Sequence, residues 1–221
     1  MLKGQNLTLT YPGDSGILSL SVEVERGEAK ILMGPSGSGK TTLLRALCLL
    51  EIPQEGVVQL DDLRFTFPTE QAFNPQLLYP RVTIVFQQLF LWPHLSNRRN
   101  LELPLSTENH KKSLDILIER FQLTPFLDKY PNQSSLGQQQ RIAIARALAL
   151  SPEYLLLDEA TSALDWKMTQ DIAEVLLDAR EQGLGLLVVT HDQRFAEVIA
   201  APVLYLENGR FVPITNSNKV M

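Results

Sequence analysis

Nine residues constrain this chain more than any others. GPSGSGKTT, residues 34–42, fits the pattern G-x-x-x-x-G-K-[ST] and sits between a short apolar run, AKILMG, and a helically spaced run, KTTLLRALCLL. A strand, a glycine-rich loop and a helix in that order form the setting in which backbone N–H groups close round phosphate oxygens. Gly34, Gly37 and Gly39 let the main chain curl, with Pro35, Ser36 and Ser38 between them. Lys40 places a positive charge against terminal phosphates, Thr41 offers a hydroxyl to Mg²⁺, and Thr42 closes the matching stretch. The competing reading is a glycine-rich turn with a solvated lysine, and the flanking strand and helix weigh against it.

The surrounding pattern is α/β. NLTLTY and LSLSVEVERG alternate apolar and polar residues with period two, which predicts half-buried antiparallel strands. AKILMG, RVTIVFQQ, YLLLDE and GLLVVTHD are short apolar runs suited to buried strands, and KMTQDIAEVLLDAREQG predicts a helix between the last two. GVVQLDDLRFTF predicts further strands, and VLYLENGRFV a last hairpin turning at Asn208-Gly209. From about 88 to 150 the pattern is helical, with HKKSLDILIERFQL amphipathic and QQRIAIARALAL behind it. The predicted fold is a mostly parallel core sheet with flanking helices, an antiparallel side sheet and an inserted α-helical subdomain. Residues 1–87 and 151–221 would form the core, and 88–150 the helical part, of one domain spanning 1–221.

Asp158 and Glu159 end a buried apolar run, where two adjacent acids are costly unless a cation or water uses them. Asp158 is expected in the Mg²⁺ shell and Glu159 beside the attacking water, which it orients or deprotonates. His191 ends another buried run, on the strand edge where ligands gather in parallel α/β sheets, and is expected to contact the γ-phosphate and the water. The competing readings are a strand that simply ends in two solvated acids and, for the histidine, a satisfied core or surface residue; the phosphate loop upstream weighs against both.

Composition excludes more than it selects. The chain has 221 residues, 44% hydrophobic and 20% charged, with a formal net charge of −5. That balance provides no global basic field to attract nucleic acid. Its single cysteine allows no internal disulfide, and Cys48, in LLRALCLL, is expected to pack in the core. No stretch reaches the roughly 18 apolar residues a membrane span needs, and the N-terminus has no apolar signal core. A cytoplasmic place is expected, with any span carried by a partner.

Taken in order, these pieces resemble the ATP-binding subunits of ABC transporters, over about residues 2–212. On that resemblance Tyr11 matches the aromatic that stacks on adenine, and residues 34–42 match Walker A. Gln87, in VFQQ, matches the glutamine that contacts Mg²⁺ and water and couples to the membrane partner. Residues 154–159 match Walker B with its catalytic glutamate, Glu159; SALD, ending at Asp165, matches the D-loop; His191 matches the switch histidine. SSLGQQQR, residues 134–141, is similar to the signature, usually L-S-G-G-Q followed by Q-Q-R. In the family that helix start faces the γ-phosphate held by a second subunit. Ser135, Gly137 and Gln138 would thus reach the partner copy's ATP. Leu136 stands where the family has its first glycine, and Ser134 where it has leucine. A positive φ at 136 would cost a leucine about 1–2 kcal/mol, and such a loss in the transition state is about tenfold in rate.

The resemblance implies two copies closing face to face around two ATP·Mg²⁺, with hydrolysis reopening them and driving a membrane permease. The permease is expected beside the Gln87 loop, where Phe90, Leu91, Trp92 and Pro93 either face the partner or fill the helical subdomain. A substrate-binding protein belongs to such complexes. FQQLFLWPHLS resembles the matching segment of polar-amino-acid importers, so amino-acid import is one reading. Export or lipoprotein release is another, and the altered signature leaves room for a nucleotide-binding regulatory module with little turnover. A soluble ATPase of DNA repair or translation fits less well with one cassette, no long heptad run and an acidic balance.

Overall fold

The computed structural model describes residues 1–13, 15–69, 74 and 77–213; the expected end of the core, 214–221, lies outside them. Strands β1 (Leu2–Tyr11), β2 (Ser15–Val24), β4 (Glu55–Leu60) and β5 (Leu63–Phe67) make an antiparallel sheet in the order β2-β1-β4-β5. Strands β3 (Ala29–Met33), β6 (Val82–Val85), β7 (Tyr154–Asp158), β8 (Gly185–Val189), β9 (Val203–Glu207) and β10 (Arg210–Val212) form the second sheet, ordered β10-β9-β3-β8-β7-β6. All its pairings are parallel except β9 with β10, which form the predicted hairpin. Asn208 and Gly209 at its tip both have positive φ, 48° and 73°, the twist a two-residue hairpin needs.

The parallel strands are buried on both faces, so their apolar runs do not skip. Ile31, Leu155, Leu157, Leu186 and Val188 face one core, and Leu32, Leu156, Leu187 and Val189 the other. The second core is closed by the inner face of the antiparallel sheet and by helix α1 (Lys40–Leu47). From Leu7 to Thr10 β1 alternates buried and half-buried positions as its period-two sequence requires, after an irregularity at Asn6 that shifts the register. Cys48 is buried there, and burial pushes its thiol up to about 12.

The first core is covered by helices α4 (Leu136–Leu148), α5 (Trp166–Glu181) and α6 (Gln193–Ile199). It continues without a break into the segment holding α2 (Asn97–Glu102) and α3 (Glu108–Arg120), through Leu101, Leu114, Leu117, Phe121 and Phe126. Helix α4 packs on α2, α3 and β6 alike. The sequence pattern does not show α2 or α6, which run only 6 and 7 residues, too few for a helical period to emerge. The loops after β3, β6, β7 and β8 all leave the carboxyl edge of the parallel sheet, and they carry the phosphate loop, Gln87, Glu159 and His191.

Candidate functional site

The phosphate loop is a main-chain structure held by contacts that only glycine permits. Gly34 has φ 146°, and a Cβ there would stand 2.0 Å from the Leu206 carbonyl oxygen. Gly39, the N-cap of α1, has φ 105°, and its Cβ would stand 2.5 Å from the Gly16 carbonyl oxygen. No side chain caps α1 and no acid occupies its first turn, so its N-terminal N–H groups are left to an anion. Ser38 Oγ is buried beside them without a hydrogen-bond partner. Lys40 is 6% exposed and donates from Nζ to the carbonyls of Gly34 and Pro35, each at 2.8 Å. Burial pulls its ammonium below the usual lysine range, against the pull of Glu159 and Asp158.

Asp158 closes β7 at 4% exposure, and its Oδ2 accepts the Thr41 hydroxyl at 2.7 Å. Burial raises this carboxyl above the ordinary aspartate value even though the Thr41 bond opposes the shift. The next residue leaves the strand abruptly: Glu159 has φ 51° and its N–H bonds the Val189 carbonyl at 3.0 Å. This left-handed kink, unfavourable for a side-chain-bearing residue, turns the second acid away from the strand direction. Glu159 Oε1 lies 3.0 Å from His191 Nε2, and Oε2 accepts from Gln87 Nε2 at 3.3 Å. Three strand ends thus meet on one carboxylate. Two hard oxygen donors, Thr41 Oγ1 and Asp158 Oδ2, stand together in the manner Mg²⁺ favours, so these residues fit that ion.

A cavity of about 250 Å³ runs from Tyr11 past Gly37 and Lys40 to Gln87 and Glu159. Tyr11 is 38% exposed, and its hydroxyl donates to Glu51, which also accepts Arg45 at 2.7 Å. Neither support was visible in the sequence pattern.

The signature residues stand elsewhere: Ser135, Gly137, Gln138 and Asp165 do not line that cavity. Ser135 caps α4, its Oγ accepting the Gln138 N–H at 3.2 Å while Gln138 Oε1 accepts the Ser135 N–H at 3.0 Å. Leu136 is the first helical residue and is absent from the positive-φ positions, so the strain a left-handed conformation would impose does not arise. The close approach is at Gly137, where a Cβ would stand 3.1 Å from the Ala163 carbonyl oxygen. Gln140, 1% exposed, ties the helix to the same loop by donating to Ser162 Oγ at 3.3 Å and accepting the Ala163 N–H at 3.1 Å. Its burial inside a run of three glutamines gives no sequence signal. Asp165 caps α5 by accepting the Met168 N–H at 2.9 Å.

Beyond Gln87 the segment divides. Leu89 is buried and Leu91 packs against the core, while Phe90, Trp92 and Pro93 are exposed. Phe90 and Trp92, with Tyr79 and Leu103, border a groove of about 280 Å³. Arg146 of α4 holds the segment's backbone by donating to the Leu89 and Phe90 carbonyls at 3.0 and 3.2 Å. Among the described residues no helix is long and apolar enough to cross a membrane.

Residues 17–162 match the family model described as ABC transporter. The chain is 37% identical to the arginine transport ATP-binding protein ArtP of Haemophilus influenzae, over 98% of this chain and 93% of that one. It is 39% identical to the glutamate transport ATP-binding protein GluA of Corynebacterium glutamicum, with 93% and 86% covered. It is also 36% identical to the L-cystine import ATP-binding protein TcyC of Bacillus subtilis, with 96% and 89% covered. Among solved structures it is similar to the dimeric form of MJ0796, a bacterial ABC transporter cassette, with a TM-score of 0.84, 34% identity, and 96% and 97% covered. A post-hydrolysis dimer of the same cassette with ADP and phosphate gives a TM-score of 0.83 at 33% identity, with 98% and 100% covered.

Proposed function

The chain belongs to the ABC transporter family and is an ATP-binding, ATP-hydrolysing subunit; from that premise we propose that it powers amino-acid import as a closed pair of copies under a membrane permease. The observation that carries the mechanism is the Glu159 carboxylate, held at both oxygens by His191 and Gln87 beside the Thr41–Asp158 bond.

In this reading the α1 N-terminus and Lys40 bind the β- and γ-phosphates, and Tyr11 provides a face for adenine. Thr41, Asp158 and Gln87 would hold Mg²⁺, which when bound would neutralise charge on the phosphate oxygens. Glu159 accepts a hydrogen bond, and in the extreme the proton, from the water that attacks the γ-phosphorus. His191 and Gln87 fix the direction of that carboxylate. Ser135, Gly137 and Gln138 of the second copy close over the γ-phosphate, with Asp165 supporting the interface. The permease docks at the groove bordered by Phe90 and Trp92, on the cytoplasmic face, and a substrate-binding protein delivers the amino acid. Arginine, glutamate and cystine are the cargoes named for the relatives.

The test pairs the purified chain with its Glu159→Gln form. Phosphate release should fall by about 10²–10⁴, and an ATP-dependent dimer should accumulate on size exclusion. Hydrolysis at the parental rate would remove Glu159 from the chemistry. For the cargo, cells lacking the chain should lose uptake of at least one labelled amino acid. Intact uptake of all of them would move the reading to export.

A further inference from the structure

We propose that Asn97 is a positioning residue for the signature serine, acting through Ser134 as a buried latch between α2 and the start of α4. The inference rests on the reading that Ser135 meets the partner copy's ATP. Asn97 is 0% exposed, and its Nδ2 uses both hydrogens, donating to Ser134 Oγ and to the Phe126 carbonyl, each at 2.8 Å. Ser134 is 9% exposed, and its hydroxyl reaches the Tyr130 carbonyl at 3.3 Å. Gln139 Nε2 holds the Ser134 carbonyl at 3.0 Å and that of Pro131 at 2.8 Å. The residue next to the signature serine is therefore fixed from both its side chain and its main chain.

The latch is a poor choice for stability alone. Asn97 Oδ1 is buried without a hydrogen-bond partner, which costs free energy that an apolar pair filling the same space would not. A leucine at 134, the usual family residue, could not take the Asn97 hydrogen bond. What the polar pair adds over an apolar one is direction, because a hydrogen bond fixes an angle that packing leaves loose.

A second asparagine, three residues further along α2, shows what the direction is for. Asn100, also 0% exposed, accepts the Trp92 N–H at 2.7 Å, and the two hydrogens of its Nδ2 are shared among the carbonyls of Trp92, Leu95 and Ser96 at 3.0, 3.1 and 3.1 Å. One short helix thus grips the segment bearing exposed Trp92 with one asparagine and the lead-in to Ser135 with the other. The two buried amides tie the Trp92 segment and Ser134 to the same helix.

Steady-state hydrolysis by the full chain tests this with Ser135→Ala, Ser134→Ala, Asn97→Leu and the double variant Asn97→Leu/Ser134→Ala, assayed well below the lowest melting temperature. Ser134→Ala and Asn97→Leu should each lower kcat about fivefold. KM should stay near the parental value, because the phosphate loop is untouched. The double variant should lose no more than the worse single, since both changes cut the same bond. Losses that multiply, or lowered melting with unchanged kcat, overturn the latch. A normal kcat in Ser135→Ala overturns the signature assignment and the latch with it. An impaired Ser135→Ala beside normal Ser134→Ala and Asn97→Leu overturns the latch alone.

Discussion

The phosphate loop and the signature helix are both helix N-termini, yet they are finished to different degrees. The start of α1 has a glycine cap, no side-chain hydrogen bond and a buried serine hydroxyl without a partner. The start of α4 has two of its donors, the N–H groups of Ser135 and Gln138, met by a reciprocal cap, and Leu136 beside it is 55% exposed. The first end is built to take a ligand from main-chain N–H groups, at the expense of leaving them unmet in the free chain. The second already carries a side-chain cap before anything approaches it. Nucleotide affinity should accordingly belong to the first end, and the second should be felt in turnover.

The harshest test of that division is Asp158→Asn. Removing the buried charge should lower turnover by about 10²–10³. The free fold should respond in the opposite direction. Burial raises the Asp158 carboxyl above its unfolded value, so its contribution to folding is fully present below the unfolded pKa and is lost as pH rises through the folded one. At neutral pH the ionised group is thus a burden on the free protein. Thermal melting without nucleotide should show the asparagine form more stable at pH 7, the gap closing as pH falls. A variant that melts below the parent at pH 7 would mean that Asp158 braces the fold through Thr41 rather than straining it.

Gly39→Ala probes the loop itself. The added Cβ meets a carbonyl oxygen at 2.5 Å, at a φ of 105° that alanine rarely adopts. Strain of about 1–3 kcal/mol must be relieved by shifting the start of α1. Nucleotide Kd, read by fluorescence titration, should rise by about tenfold to a hundredfold. An unchanged Kd with lost turnover would break the separation of affinity from turnover.

Much of the first end was legible in the sequence, because its chemistry lies in the main chain and main-chain geometry is written as glycines. The spacing of Gly34, Gly37 and Gly39 before Lys40, and apolar runs stopping at Asp158 and His191, pointed to the segments that meet here: Gly37, Gly39, Lys40 and Glu159 line the cavity, while Asp158 bonds Thr41 and His191 lies against Glu159. What could not be read were the side-chain braces between distant segments. Glu51 under Tyr11, Gln140 against Ala163 and Arg146 on the Phe90 carbonyl are polar residues in unremarkable positions, joined 40, 23 and 56 residues apart. Asn97 and Asn100 belong to the same class, on a helix too short to show a period. Which of Phe90 to Pro93 would face outward was likewise open, since an exposed aromatic and a buried one read alike in a loop.

The smallest expected effect is the most informative about the second end. Leu136→Gly restores the family residue at a position that is already helical and largely solvent-facing. Glycine in a helix costs about 1 kcal/mol relative to a good helix former, so melting should fall by about 2–4 °C. With no strain at 136 to release, kcat should change by less than about threefold. A gain near tenfold would mean that the isobutyl group holds the partner's phosphate away. The signature end would then be a blocked surface, and full turnover would belong to a pairing with a different chain that carries glycine there.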